Sequence, residues 1–557
     1  MAASILNSKR NFSLRLVLSI FIVGSAVRLF WLAVQNSNIG GEGAVYARFA
    51  ENFLKGNGYV GISLGSTDLV FPPLYPILIA FASLATGDFE LAGRVVSLII
   101  GACLVIPVFF ITLEMYGKRV AYIAAGLTAL HPLLIQLSGS VYSEATYITF
   151  LMAGIYWALK TSHIGSVGAS VLVGTFFGLA YLTRPEGIIY SFLSAAVILI
   201  LGPACKRTLK QSVMCSLGIL GAFTVIASPY VGFLSLTTGQ LRFEGKSAIN
   251  YLIGQRMLAG MEYNEAAYGI TKDLIEEGPF LQDRIAPIEK TSLGDISRYV
   301  LMAARTNVSE IYQTIFFSSA FGSPVLIVLV ILGIFRTPWS SRRIIDEGVL
   351  LIFVTTIVLT LLSIQHLWDR YSFQLLPFLL LWAAKGICEL ADWAEATAVS
   401  LMGTIRGRSD AVRVSSQWAL SLIFLLYVST SYAHEFKKTH SQKDPIKEAG
   451  FWLGKHAGGP KKIMDGNAVI AYYANGTWIP LPYAESSVAL EYLNHKSPDF
   501  VVLTRGGSGI RPYLDDWIQK GIPNSNANLV YSRGNALEEK IMIYRWNSSP
   551  MKGFAKR

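Results

Sequence analysis

Four polar clusters interrupt a very hydrophobic chain, and each holds a residue able to move a proton or bind an anion. They are Glu42 with Tyr46, Ser143-Glu144, Thr183-Arg184-Pro185-Glu186, and Gln365-His366-Leu367-Trp368-Asp369-Arg370-Tyr371. A positioned carboxylate can take a proton from a weak nucleophile, and a guanidinium can hold an oxyanion through paired, charge-assisted hydrogen bonds. The clusters follow the first, third, fifth and ninth apolar stretches, so a chain that crosses a bilayer at each stretch brings all four to one face. Carboxylates and arginines gathered at one water-facing end make a polar site at a bilayer surface. Such a site fits chemistry on a lipid-borne substrate better than it fits a channel or an anchor.

The elements that must position these residues are mostly helices in lipid. The 557 residues are 52% hydrophobic and only 15% charged, against ~25% charged in soluble domains. A mean hydropathy of +0.46 marks an integral membrane protein. Apolar stretches fall near 14–34, 91–113, 119–138, 144–160, 166–182, 187–203, 212–234, 316–335, 347–364, 372–390 and 415–433, which gives about eleven spans. Basic clusters lie between them at Lys118-Arg119, Lys160, Lys206-Arg207-Lys210, Arg336 with Arg342-Arg343, and Arg406, Arg408 and Arg413. All fall on the side that holds Lys9 and Arg10, so the positive-inside rule makes the N-terminus cytoplasmic and the C-terminus external. The net charge of +11 is therefore a topology signal beside anionic lipid and not a nucleic-acid surface. The stretch Leu74–Thr86, preceded by Phe71-Pro72-Pro73, is short for a span and reads as an interfacial or re-entrant helix. Cys103, Cys205, Cys215 and Cys388 show no CxxC or Cys/His spacing, which argues against a disulfide framework and a thiolate metal site.

Residues 1–435 form the transmembrane domain in this reading, with external loops at about 35–90 and 235–315. In the first loop, apolar positions at helical spacing over 42–54 predict an amphipathic helix on the membrane surface, stopped by Gly56-Asn57-Gly58. Residues 436–557 have the composition of a soluble domain. A helix opens at Asp444-Pro445, the runs Ala468–Tyr473, Phe500–Leu503, Leu529–Tyr531 and Ile541–Tyr544 read as strands, and Ser486–Asn494 and Tyr513–Lys520 read as helices. The expected fold is a polytopic α-helical membrane protein with a small C-terminal α/β extracytoplasmic domain. Asn307-Val308-Ser309 and Asn475-Gly476-Thr477 match the glycosylation acceptor pattern on the external side.

The series Glu42…Tyr46, Phe71-Pro72-Pro73-Leu74-Tyr75-Pro76, Arg94, Ser143-Glu144, Thr183-Arg184-Pro185-Glu186-Gly187 and Asp369-Arg370-Tyr371 occurs in order on one expected face. It resembles the membrane glycosyltransferases of the GT-C class, family 39, the group of protein O-mannosyltransferases and the aminoarabinose transferase. The resemblance covers roughly residues 1–435 and implies transfer of a sugar from a polyprenyl-phosphate donor to a hydroxyl-type acceptor at the outer face of the membrane. It implies Glu42 as general base, in place of the family's Asp or Asp-Glu pair in the first external loop, and Glu144 as the acid of the second. Among the basic residues it points to Arg370 for the donor phosphate, with Arg184, Arg94 and His366 as further ligands. Tyr46, Tyr371, Lys246 and Asn250 are candidate substrate contacts.

Each assignment has a structural alternative. Glu42 could be an exposed loop acid, and Glu144 a helix-start residue favoured by the macrodipole behind a Ser143 cap. Arg184 could pair with Glu186, and Arg370 with Asp369. No metal site is specified: two acids could hold a divalent cation, but the sequence does not require one. Membrane lipids are expected partners, nucleic acid is not, and the expected compartment is a bacterial inner membrane. The rival reading is a polytopic transporter, which usually carries its charges at the bilayer midplane.

Overall fold

The computed structural model describes residues 14–35, 38–63, 69–271, 276–282, 293–318, 321–322, 324–364, 367–402, 416–430, 444–459, 461–505, 511–537 and 539–547. Gln365 and His366, the basic residues Lys9, Arg10, Arg406, Arg408 and Arg413, and the 435/436 boundary lie outside the described residues. The chain divides into two compact units: Met1–Gln35 with Arg94–Tyr230 and Ala303–Lys437, and Asn36–Gly93 with Val231–Met302 and Lys438–Arg557. Both external regions thus group with the C-terminal α/β residues instead of with the apolar helices.

The first unit is helical. Among the described residues, five helices are long and apolar enough to cross a membrane: Leu14–Val34, Phe89–Tyr116, Leu209–Thr238, Ser341–Leu362 and Asp369–Thr397. Lys118–Leu130 and Pro132–Ser138 would make a sixth, bent by 54°. Val167–Tyr181, Gly187–Ile200, Val325–Phe335 and Ser416–Thr430 are shorter apolar helices. The stretch expected near 316–335 is broken, because one helix ends at Phe317 and the next begins at Val325.

The bend is at His131-Pro132, where proline has no N–H to offer the Thr128 carbonyl. Arg28, 1% exposed in the apolar helix Leu14–Val34, fills that gap. Its guanidinium donates to the carbonyls of Thr128 at 3.2 Å, Ala129 at 2.6 Å and Gly24 at 3.1 Å, and to Ser138 Oγ at 3.1 Å. A cation at the C-terminal end of a broken helix meets both the orphaned carbonyls and the negative end of the macrodipole.

Small residues let helix backbones approach where lipid provides no hydrophobic drive for association. A Cβ on Gly386 would overlap the Leu329 carbonyl, and one on Gly333 the Trp382 carbonyl, so Val325–Phe335 and Leu376–Met402 touch backbone to backbone. At the same end of the unit as Lys160 and His163, Arg343 Nε reaches Glu347 Oε1 at 3.0 Å and Arg119 Nη2 reaches Asp392 Oδ1 at 2.6 Å.

In the second unit, five strands form a sheet in the order β2-β1-β3-β5-β4, with β1 Lys462–Asp465, β2 Thr477–Pro480, β3 Phe500–Thr504, β4 Ala527–Arg533 and β5 Ile541–Trp546. β1 runs parallel to β2 and β3, while β5 is antiparallel to β3 and β4. The run expected as a strand at 468–473 is a helix, Val469–Tyr473. Asn467 Oδ1 accepts from the Val469 N–H at 2.9 Å and turns the chain into it. Asp465 ends β1 fully buried, and that burial pushes its carboxyl up to about 7.

The helix Gly41–Leu54 is a core element and not a surface one, with Gly43 to Ala50 all buried. It packs on Leu74–Thr86, a helix whose other face exposes Phe81 and Leu84. Of the two sequon asparagines, Asn307 is buried and Asn475 is exposed. Asn307 donates to the carbonyls of Leu361 at 3.0 Å and Ile364 at 2.5 Å, while Asn475 Oδ1 takes Arg48 Nη1 at 2.6 Å.

Gly386→Leu is expected to lower the melting temperature in detergent, since overpacking costs ~1–3 kcal/mol or more where backbone is in the way. Gly221→Ala, where an added Cβ meets nothing within 4 Å, is expected to leave it unchanged. Thermal unfolding followed by tryptophan fluorescence checks both, and equal melting of the two variants would contradict the backbone contact.

Candidate functional site

The expected site begins with one carboxylate. Glu144 opens the helix Glu144–Ile164 and is 3% exposed. Ser143 precedes it in an αR conformation and makes no side-chain cap hydrogen bond, so the expected serine cap is not formed. Glu144 Oε1 instead receives two guanidinium groups, Arg184 Nη1 at 3.1 Å and Arg370 Nη1 at 3.4 Å. Arg184 Nη2 also lies 3.7 Å from Glu186 Oε1. The carboxylate near Arg370 is thus Glu144, whereas Asp369, the neighbour in sequence, is exposed.

Local sequence explains how both arginines arrive. Thr183 and Arg184 donate their backbone N–H groups to the Ala180 carbonyl, and Gly187 returns to the Arg184 carbonyl at 3.1 Å. A Cβ on Gly187 would overlap the Tyr181 backbone nitrogen, so only glycine lets the chain turn this tightly between Val167–Tyr181 and Gly187–Ile200. Arg184 is left at the apex. Arg370 sits in the short helix Asp369–Ser372, after Ser341–Leu362 has ended.

Aromatic rings form the bed. The Arg184 guanidinium lies 4.9 Å from the Tyr371 centroid and 5.7 Å from that of Tyr147. Arg370 lies 4.9 Å from Tyr142 and 5.2 Å from Tyr371. Both guanidinium groups thus lie against the Tyr371 ring. Gln374 Nε2 donates to the Tyr371 carbonyl at 3.0 Å, and Tyr147 hydroxyl reaches Gln374 Oε1 at 3.4 Å. Tyr142, Tyr147 and Gln374 were not among the sequence candidates. Tyr142 adjoins Ser143-Glu144 and Gln374 follows Tyr371 by three residues, which is the only sequence signal for either. Arg94, 8% exposed, lies three residues before Ser97, whose hydroxyl meets the Tyr142 carbonyl at 3.3 Å.

The arrangement is polarised. A guanidinium carries five N–H donors, more than one carboxylate oxygen can accept. The other carboxylate oxygen, Glu144 Oε2, is buried with no hydrogen-bond partner among the described residues. An orphaned acceptor of this kind costs ~1–3 kcal/mol unless a ligand hydroxyl or water meets it. Such a cluster can bind an anion and orient a hydroxyl.

The remaining candidates belong to the second unit. Glu42 is half-buried in the first turn of Gly41–Leu54. Tyr46 is a core residue, edge-on to Phe71 at 5.2 Å and Tyr75 at 5.1 Å. Lys246 and Asn250 lie on the helix Lys246–Leu258, whose first turn is capped by the Glu244 carboxylate through the Lys246 N–H at 2.7 Å.

Residues 71–231 match the sequence family described as dolichyl-phosphate-mannose-protein mannosyltransferase, a stretch that includes Arg94, Glu144 and Arg184. No curated protein sequence gives a match. Among solved structures, the oligosaccharyltransferase AglB from Archaeoglobus fulgidus, in complex with an inhibitory peptide and a dolichol-phosphate, aligns over 96% of this chain and 75% of its own. Its TM-score is 0.56 at 14% identity. ArnT from Cupriavidus metallidurans bound to undecaprenyl phosphate aligns over 95% of this chain and 97% of its own, with a TM-score of 0.54 at 12% identity. Its apo form gives a TM-score of 0.55. The protein is an integral membrane protein with the GT-C fold.

Proposed function

We propose that the protein is a membrane glycosyltransferase that moves a sugar from a polyprenyl-phosphate donor to a hydroxyl-type acceptor at the extracytoplasmic face of a bacterial inner membrane. The observation that carries this reading is the buried Glu144 carboxylate holding Arg184 and Arg370 together at the helix ends opposite the basic loops. Two solved proteins of similar fold hold dolichol-phosphate or undecaprenyl phosphate, which agrees with a lipid phosphate as the anion.

In the reaction the acceptor oxygen attacks the anomeric carbon, its proton passes to the Glu42 carboxylate, and the bond from the anomeric carbon to the phosphate oxygen breaks. The lipid phosphate leaves with the electron pair of that bond, and Arg370 and Arg184 stabilise its growing charge. Glu144 is committed through Oε1 to Arg184 and Arg370 in this account. Its role is to hold the arginines and to accept a substrate hydroxyl at Oε2. The resemblance places the acid of the first external loop, Glu42, in the role of the base, and it stands in the first turn of Gly41–Leu54.

Glu42→Gln is expected to keep the affinity for undecaprenyl phosphate and to lose turnover by ~10²-fold or more, measured on polyprenyl-phosphate sugars extracted from host membranes. Near-normal transfer by this variant would take the base role away from Glu42. For the phosphate role, Arg370→Lys is expected to weaken undecaprenyl phosphate binding by about tenfold and Arg370→Ala by about a hundredfold, since lysine keeps the charge but loses the planar fork. A lower melting temperature for Arg370→Ala with unchanged lipid affinity would leave Arg370 as a structural partner of Glu144 and nothing more.

A further inference from the structure

Glu42 stands in a stretch with little stiffness of its own. Three of the four residues Gly40-Gly41-Glu42-Gly43 are glycine, and the helix they open has no side-chain cap at Gly40. Glycine loses more backbone freedom on ordering than any other residue, so a carboxylate mounted here needs anchors from outside the turn.

The second unit provides them from its C-terminal residues. The Ile39 backbone N–H donates to the Tyr473 hydroxyl at 3.1 Å, and that hydroxyl donates to Glu90 Oε2 at 2.9 Å. Lys447 Nζ holds the same Glu90 oxygen at 3.1 Å and lies 5.1 Å from the Tyr473 ring centroid. Tyr473 is buried, with its ring 5.2 Å from that of Phe451, so packing fixes where the hydroxyl points. On the other side of the turn, a Cβ built on Gly41 would lie 3.9 Å from Asn467 Cβ. Further along the same helix, Arg48 Nη1 bonds Asn475 Oδ1 at 2.6 Å, and Asn475 holds the left-handed backbone that ends Val469–Tyr473. The short helix Val469–Tyr473 and its flanks therefore grip Gly41–Leu54 at its start and at its middle.

We propose that Tyr473 is a positioning residue for Glu42: its hydroxyl, braced by Glu90 and Lys447, anchors the chain at Ile39 and so fixes where the glycine-flanked carboxylate stands. The role rests on the reading of Glu42 as the base. It gives the C-terminal domain a part in the reaction without placing any of its residues on the substrate. Misplacement of a reacting group by about 1 Å costs up to ~10²-fold in rate, which is the scale on which one lost anchor is felt.

Tyr473→Phe keeps the ring and removes only the hydroxyl. Amide hydrogen exchange across residues 38–44 is expected to rise about tenfold or more. Turnover on a host-membrane lipid extract is expected to fall between about tenfold and about a hundredfold. Undecaprenyl phosphate affinity should change by less than about twofold, because the lost contact is not with the donor. Lys447→Met, which strips only the brace, should move exchange and turnover in the same direction by less. Unchanged exchange over 38–44 in Tyr473→Phe would overturn the anchor. Raised exchange with normal turnover, beside an inactive Glu42→Gln, would overturn the positioning role and leave the base assignment standing. Retained transfer by Glu42→Gln would instead remove the base assignment and the role of Tyr473 with it.

Discussion

The first unit depends on a carboxylate that is almost out of water. Burying Glu144 alone would be prohibitive, and burying either arginine in an apolar helix bundle would cost at least ~2.5–3.5 kcal/mol. Placed together, with Tyr142, Tyr147 and Tyr371 against the guanidinium faces, the three side chains make burial tolerable for each other. This fixes the ends of three helical segments, at Glu144, at the Thr183–Gly187 turn and at Asp369–Ser372. It also sets two guanidinium groups side by side on one carboxylate oxygen, a preorganisation that the proposed reaction would use against developing charge.

The same economy recurs away from the site. Arg28 is another cation in an apolar helix, and it finds no carboxylate among its hydrogen-bond partners but the carbonyls freed where Pro132 breaks the chain. Gly333 and Gly386 remove side chains from a helix contact so that backbone dispersion can replace the hydrophobic drive that lipid does not give. The Arg28 contacts answer the demand that polar groups in hydrocarbon be satisfied within the protein.

Much of this was legible in the chain. The apolar stretches are helices almost where length and hydropathy put them. Alternation of basic loops with polar clusters was enough to send Glu144, Arg184 and Arg370 to one end, because each side of a bilayer imposes its own charge bias. Other features depended on partners distant in sequence. Residues 42–54 carry the pattern of a half-exposed helix, but Tyr46 and Phe49 meet Phe71, Tyr75 and Tyr59, so the helix is core. The run at 468–473 is apolar at both strand and helix spacing, and the Asn467 side chain meets the Val469 N–H at the start of the helix that forms. The ion pair of Arg370 with Glu144 spans more than two hundred residues, and no local rule selects it.

In the proposed reaction Arg184 and Arg370 receive a lipid-borne phosphate. Mass spectrometry of the lipids extracted from the purified protein tests it most directly. The account predicts a polyprenyl phosphate, free or sugar-linked, enriched well above its share of the host membrane. Recovery of phospholipids alone, in the proportions of the bulk membrane, would contradict it.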